Sequence, residues 1–190
     1  MKKISSILAG SIAAFAMAQA QAGTVNIDFT TYGPGVSIST LQGVSFAVEG
    51  VGTTGTPATD TWWGPGLTNS TTGAYPTGGI LDIKFGGAAS DIDFGFNNYG
   101  CCNGSFYTAI GSNGAVLGTG RIDSYQGSMV NLGYTGVEEL QLSNNGSPYW
   151  MFTVTSLSAN VSAVPESSNA LMMLAGAGLL AAAARRRVKN

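Results

Sequence analysis

The sequence predicts an all-β fold, an antiparallel β-sandwich of jelly-roll-like type, flanked by two short apolar helical ends. Three observations carry this. Apolar residues recur at every second position in a series of short runs, turn formers separate those runs, and residues 23–163 show no 3.6-residue helical period. Period two gives one buried and one wet face, as in antiparallel sheet. Eight or nine short strands in 141 residues fit a sandwich.

Residues 1–22 stand apart from this pattern. Lys2 and Lys3 precede an apolar run over residues 4–18, which closes on Ala20-Gln21-Ala22 before Gly23. A basic start, an apolar run and a small-x-small ending make a secretory signal peptide, with cleavage expected between Ala22 and Gly23. Cleavage after Ala20 is the near alternative, since Ala18-Gln19-Ala20 has the same form.

The strands follow in order. Val25, Ile27 and Phe29 alternate with polar residues, and so do Val44, Phe46 and Val48. Leu81, Ile83 and Phe85 make a third run, separated by the turn formers Gly86-Gly87 from a fourth, Ile92, Phe94 and Phe96. Asn113-Gly114, between residues 106–110 and 115–122, suits a tight hairpin. Val130, Leu132 and Tyr134, then Leu140 and Leu142, then Trp150, Phe152 and Val154 complete the series. The long segment 50–78, rich in Thr, Gly and Pro, reads as a polar loop.

At the C-terminus Val164-Pro165-Glu166 leads to an apolar stretch over residues 170–184, then Arg185, Arg186 and Arg187. Fifteen apolar residues at 1.5 Å each give a helix of about 22 Å, short against a hydrocarbon core of about 30 Å. The arginines mark the cytoplasmic side, which places the start of the helix outside. The domain organisation is therefore 1–22, 23–163 and 164–190.

Charge and composition exclude several functions. The middle of the chain sets Lys84 and Arg121 against nine acids, a net charge of −7, which removes nucleic acid as a partner. The chain has no His, so it has no His-based triad, His metal site or His acid–base chemistry. With no suitably placed Lys either, no serine nucleophile is credible.

Val164-Pro165-Glu166, the short Ala/Leu/Gly helix and the terminal arginine cluster together resemble the PEP-CTERM sorting signal of Gram-negative bacteria. The next position, usually Pro in that family, is Ser167 here. The resemblance implies export through the inner membrane, which the C-terminal helix enters transiently. It also implies recognition by an exosortase near Pro165-Glu166, and a place in the envelope, surface or matrix of a bacterium that makes exopolysaccharide. The middle resembles a domain common in such proteins through Ile27-Asp28-Phe29, Tyr32-Gly33-Pro34-Gly35 and Gly43-Val44-Ser45-Phe46, and that likeness implies a jelly-roll sandwich akin to carbohydrate-binding modules. Many relatives carry acids where this chain has Thr30 and Thr155-Ser156, so the structural Ca²⁺ site of those relatives is not carried over.

Three groups of residues are candidate sites. Cys101 and Cys102 are adjacent in an oxidising compartment, as a vicinal disulfide, as a link between two molecules, or as one buried and one exposed thiol. Adjacent Cα atoms lie about 3.8 Å apart, below the usual disulfide range, so a vicinal bond is strained. Trp62 and Trp63 lie in the 50–78 loop, either folded back on the core or offering a flat face to a sugar ring. Tyr99, with Tyr107 and Tyr125, are further glycan candidates, and Trp150 reads as core. Asp91 and Asp93 flank Ile92 on one strand and so share a face. With Asn97 or Asn98 they are candidate Ca²⁺ ligands, against the reading of two solvated acids. No other cofactor is expected. The leading functional expectation is a non-enzymatic exported protein; the alternative is a carbohydrate-binding module that retains exopolysaccharide, and the remote one a polysaccharide hydrolase.

Overall fold

Strand β5 organises the molecule. The computed structural model describes residues 23–50, 54–62, 64–74, 78–98, 104–122, 127–144 and 151–162. In it β5 runs for 19 residues, Ile80–Asn98. Around it stand β1 (Gly23–Asp28), β2 (Thr40–Leu41), β3 (Val44–Glu49), β4 (Leu67–Thr68), β6 (Ser105–Ile110), β7 (Val116–Ile122), β8 (Ser128–Leu132), β9 (Val137–Ser143) and β10 (Phe152–Val161). All ten are joined antiparallel in one hydrogen-bonded sheet, so the all-β expectation holds. The main path is β1-β10-β5-β9-β6-β7, with β3 and β8 also on β5, β2 on β3 and β4 on β10.

Gly86-Gly87 is not a turn. The strand passes straight through it, and the glycines are there because neighbouring backbone comes too close for a side chain. A Cβ on Gly87 would stand 1.9 Å from the Ser162 carbonyl oxygen, and one on Gly86 3.0 Å from that of Gly43. At this point β5 changes partners. Residues 81–84 lie between β3 and β9, and residues 92–96 between β10 and β8.

Both halves of β5 face one core. Leu81, Ile83, Phe85 and Ala89 are buried at odd positions, and Ile92, Phe94 and Phe96 at even ones. The switch is made by an extra residue. Ser90 pairs with Asn160 and Asp93 with Ser158, so β5 spends one residue more than β10 between them. Asp91 takes up this bulge in the left-handed region, φ 49°. The core gathers Phe29, Phe94, Phe96 and Phe152, all fully buried. Phe29 meets Phe46 edge-on at 5.5 Å, and Phe96 meets Phe152 at 5.0 Å. Each such ring contributes about 1.5–3 kcal/mol of burial.

The Asn113-Gly114 hairpin forms between β6 and β7, with Ile110 opposite Val116 and five residues in the loop rather than two. Asn113 (φ 59°) and Gly114 (φ 74°) supply its left-handed turn. In β7, Gly118 and Gly120 leave room for Tyr134 and Tyr107, whose rings lie where Cβ atoms would be, 2.1 and 2.6 Å away.

The signal-peptide helix over 1–22, the sorting segment 164–190 and its helix over 170–184 lie outside the described residues. Among the described residues no helix is long and apolar enough to cross a membrane. The helical pieces there are two 3-10 turns, Phe29–Thr31 and Ser112–Gly114.

Candidate functional site

The segment expected to be a polar loop is stitched into the sheet. Isolated bridges join Val48 to Gly55, Ser37 to Ala58 and Thr59 to Leu67, and β4 pairs with β10 through Leu67 and Val154. Its polar side chains are buried because the backbone satisfies them. Thr68 Oγ1 donates to the Ala58 carbonyl at 2.7 Å. Asn69 donates to the Gly79 carbonyl at 2.8 Å and accepts from the Phe152 amide at 3.0 Å. Thr59 Oγ1 donates to the Gly33 carbonyl at 2.6 Å and accepts from the Val36 amide at 2.8 Å.

Trp62 stands on this framework. The Asp60 carboxylate accepts from the Trp62 amide at 2.6 Å, an Asx turn that fixes the backbone. Thr61 is held by its amide and hydroxyl to the Gly73 carbonyl, both at 3.0 Å. Ala58, Thr59 and Asp60 are buried, yet Trp62 is 67% exposed. Of the two sequence readings, folded back on the core or offered to solvent, Trp62 takes the second. Trp63, Tyr99, Tyr125, Trp150, Cys101 and Cys102 lie outside the described residues. Tyr107 is half-buried and packs over Gly120 beside Tyr134, with ring centroids 6.2 Å apart.

Asp91 and Asp93 look to different strands. Asp91 accepts from Asn160 Nδ2 on β10 at 2.9 Å and from Ser90 Oγ at 3.1 Å. Asp93 accepts from Asn131 Nδ2 on β8 at 2.6 Å. Asn97 accepts from the Gly127 amide and Asn98 donates to Ser105 Oγ at 3.0 Å. These four side chains do not converge, and among the described residues no group of three or more acidic or Cys side chains is placed to hold a metal ion.

Sequence reasoning missed Asp82. It alternates out of the core between Leu81 and Ile83, on the face carrying exposed Lys84, yet it is 2% exposed. Ala47 and Gln141 stand opposite it, with Glu49 and Glu139 on the diagonals. Gln141 Nε2 and Lys84 Nζ are turned to Glu139, at 2.8 and 3.5 Å. Asp82 Oδ1 is left buried with no hydrogen-bond partner. Burial, then the charges of Glu49 and Glu139, push its pKa up to about 6, against the pull of Lys84 and Gln141. Nothing in Leu81-Asp82-Ile83 distinguishes this acid from a solvated one, since its neighbours come from other strands.

An open cleft of about 490 Å³ lies at the other end of β10, lined by Thr24, Ala88, Ser90, Thr135, Gly136 and Asn160, among others. Among the described residues no aromatic or charged side chain lines it, and Gly23, the first residue after the expected cleavage point, borders it.

No protein-family model matches the chain, and no curated protein matches it. Among solved structures, a mutant of the family 29 carbohydrate-binding module CBM29-2 aligns with 76% of this chain and 100% of its own, at 14% identity and a TM-score of 0.40. A likeness at that level carries no inference about this chain.

Proposed function

We propose that the chain is an exported, non-enzymatic protein of the cell envelope or matrix whose β domain binds neutral polysaccharide through Trp62. The observation that carries this is the exposed indole on a hydrogen-bonded, buried-backbone loop. Leaving two-thirds of a ring of at least about 150 Å² in water forgoes roughly 2.5 kcal/mol of burial. A stacking partner recovers part of that, and a flat face meets the apolar face of a sugar. The net charge of −7 over residues 23–163 disfavours anionic polymers, and the diverging Asp91 and Asp93 do not support Ca²⁺ bridging.

The halves of β5 that share one core support reading the sheet as a jelly-roll-like sandwich folded on itself. The hydrolase reading is not supported by Asp82. Its raised pKa is that of a general acid, but a general acid must reach its substrate and Asp82 is 2% exposed. Export and sorting are read from the sequence: Met1 to Ala22 as signal peptide, and Val164-Pro165-Glu166 with Arg185, Arg186 and Arg187 as the exosortase-type signal.

A glycan array with the native chain and Trp62→Ala tests the binding. The expected result is native-chain signal on neutral glycans and weaker signal for the variant at an unchanged melting temperature. Equal signals from the two would remove Trp62 from binding.

A further inference from the structure

The cleft beside Asn160 carries a hydrogen-bond network with one direction. Thr24 Oγ1 donates to Asn160 Oδ1 at 3.2 Å, Asn160 Nδ2 donates to Asp91 Oδ2 at 2.9 Å, and Ser90 Oγ donates to the same oxygen at 3.1 Å. Every proton in it runs toward the Asp91 carboxylate. Thr24 and Ser90 are therefore left with hydroxyl lone pairs, and Asn160 with one N–H and one lone pair. That set of acceptors with a lone donor matches sugar hydroxyls, which donate and accept alike. A phosphate or uronate brings only acceptors, which the lone pairs of Thr24, Ser90 and Asn160 do not match. An ammonium brings only donors and leaves the Asn160 N–H unmatched.

Asp91 is one of three non-glycine residues, with Gln42 and Asn113, that hold a left-handed backbone among the described residues. The bulge needs a left-handed backbone, which glycine adopts without strain, and here a carboxylate occupies it at φ 49°. The cleft, about 490 Å³, is open to solvent.

We propose that this cleft is a second subsite for a neutral sugar unit, bound by Thr24, Ser90 and Asn160, with Asp91 as the positioning residue that sets the direction of their hydrogen bonds. The sugar class rests on the Trp62 reading; the location does not. The Trp62 loop joins β10 at Val154 and the cleft begins at Asn160. Five residues of strand lie between those two positions, which are about 20 Å apart along β10. A polymer chain long enough to engage both would gain avidity over a short oligosaccharide.

Affinity electrophoresis of the full chain in gels carrying hydroxyethylcellulose, glucomannan or dextran tests this, with polygalacturonate and chitosan as charged controls. Asp91→Gly is the decisive variant, because it removes the carboxylate while giving the bulge the residue that suits it; Asn160→Ala accompanies it. The proposal expects a neutral polymer to retard the native chain, and affinity to fall about tenfold in both variants, the scale of one or two lost hydrogen bonds. The melting temperature of Asp91→Gly should be unchanged or higher. Retardation that weakens in Trp62→Ala but not in Asp91→Gly or Asn160→Ala overturns the cleft and leaves the Trp62 site standing. Retardation by no neutral polymer, or by chitosan alone, overturns both.

Discussion

Replacing Asp82 with Asn should stabilise the domain, and only above a defined pH. The carboxyl has a pKa near 6 in the folded chain against 3.8 for an ordinary Asp. Between those values the folded state holds a proton that the unfolded state has lost, so stability falls as pH rises from about 4 to about 6. Below that window both states are protonated and the charge costs nothing. Above it the full cost is present. Two pKa units at 1.36 kcal/mol each give up to about 3 kcal/mol. Asn has the same shape and no charge to bury, so Asp82→Asn should match the native chain near pH 3.5 and exceed it by that amount at pH 7. For a domain of this size the gain is roughly 10 °C in melting temperature. Thermal unfolding followed by circular dichroism from pH 3.5 to 8 measures it. A difference between the two proteins that is flat in pH, or a less stable variant at pH 7, would refute the reasoning.

Other outcomes follow from the same geometry. Gly87→Ala should destabilise by more than about 2 kcal/mol, because its Cβ meets the Ser162 carbonyl at 1.9 Å, whereas Gly33→Ala, with nothing within 4 Å, should stay within about 0.5 kcal/mol of the native chain in urea unfolding. Exported protein should contain no free thiol, since Cys101 and Cys102 have no other partner in the chain. Intact mass and thiol labelling distinguish a monomer lacking two hydrogens from a linked dimer, and two labelled thiols contradict the expectation. Changing Arg185, Arg186 and Arg187 to Gln should leave the C-terminus unprocessed or the protein mis-sorted, which cell fractionation reads directly; normal processing and surface display would remove the arginines from the signal.

The strands were legible because period two is a local signal. Val25 and Ile27, Phe46 and Val48, Leu140 and Leu142 are buried as their alternation requires. What escaped was set by distant parts of the chain. Gly86-Gly87 carries the composition of a turn, and only the approach of Ser162 and Gly43 explains glycines inside a continuous strand. Thr59, Thr68 and Asn69 read as loop residues because polarity predicts exposure. They are buried because carbonyls of residues 33, 58 and 79 take their protons. Asp82 is buried by strands about 35 and 60 residues away in sequence. Asp91 was legible as an acid on the outer face, but its left-handed backbone depends on the bulge against β10. For Trp62 the sequence posed the right pair of alternatives, and the Asx turn at Asp60 with the Thr61–Gly73 bonds decided between them.

The central claim is that an exposed indole on a fixed loop is a binding surface. The most direct test is to measure, on one preparation of Trp62→Ala, both its affinity for a neutral polysaccharide that binds the native chain and its melting temperature. The account expects affinity to fall by about tenfold, the upper end of an aromatic contact of ~0.5–1.5 kcal/mol, with melting unchanged because the ring is 67% exposed. A variant that melts several degrees lower would show the indole holding the fold, and a stable variant that binds as tightly as the native chain would show that the polysaccharide is held elsewhere.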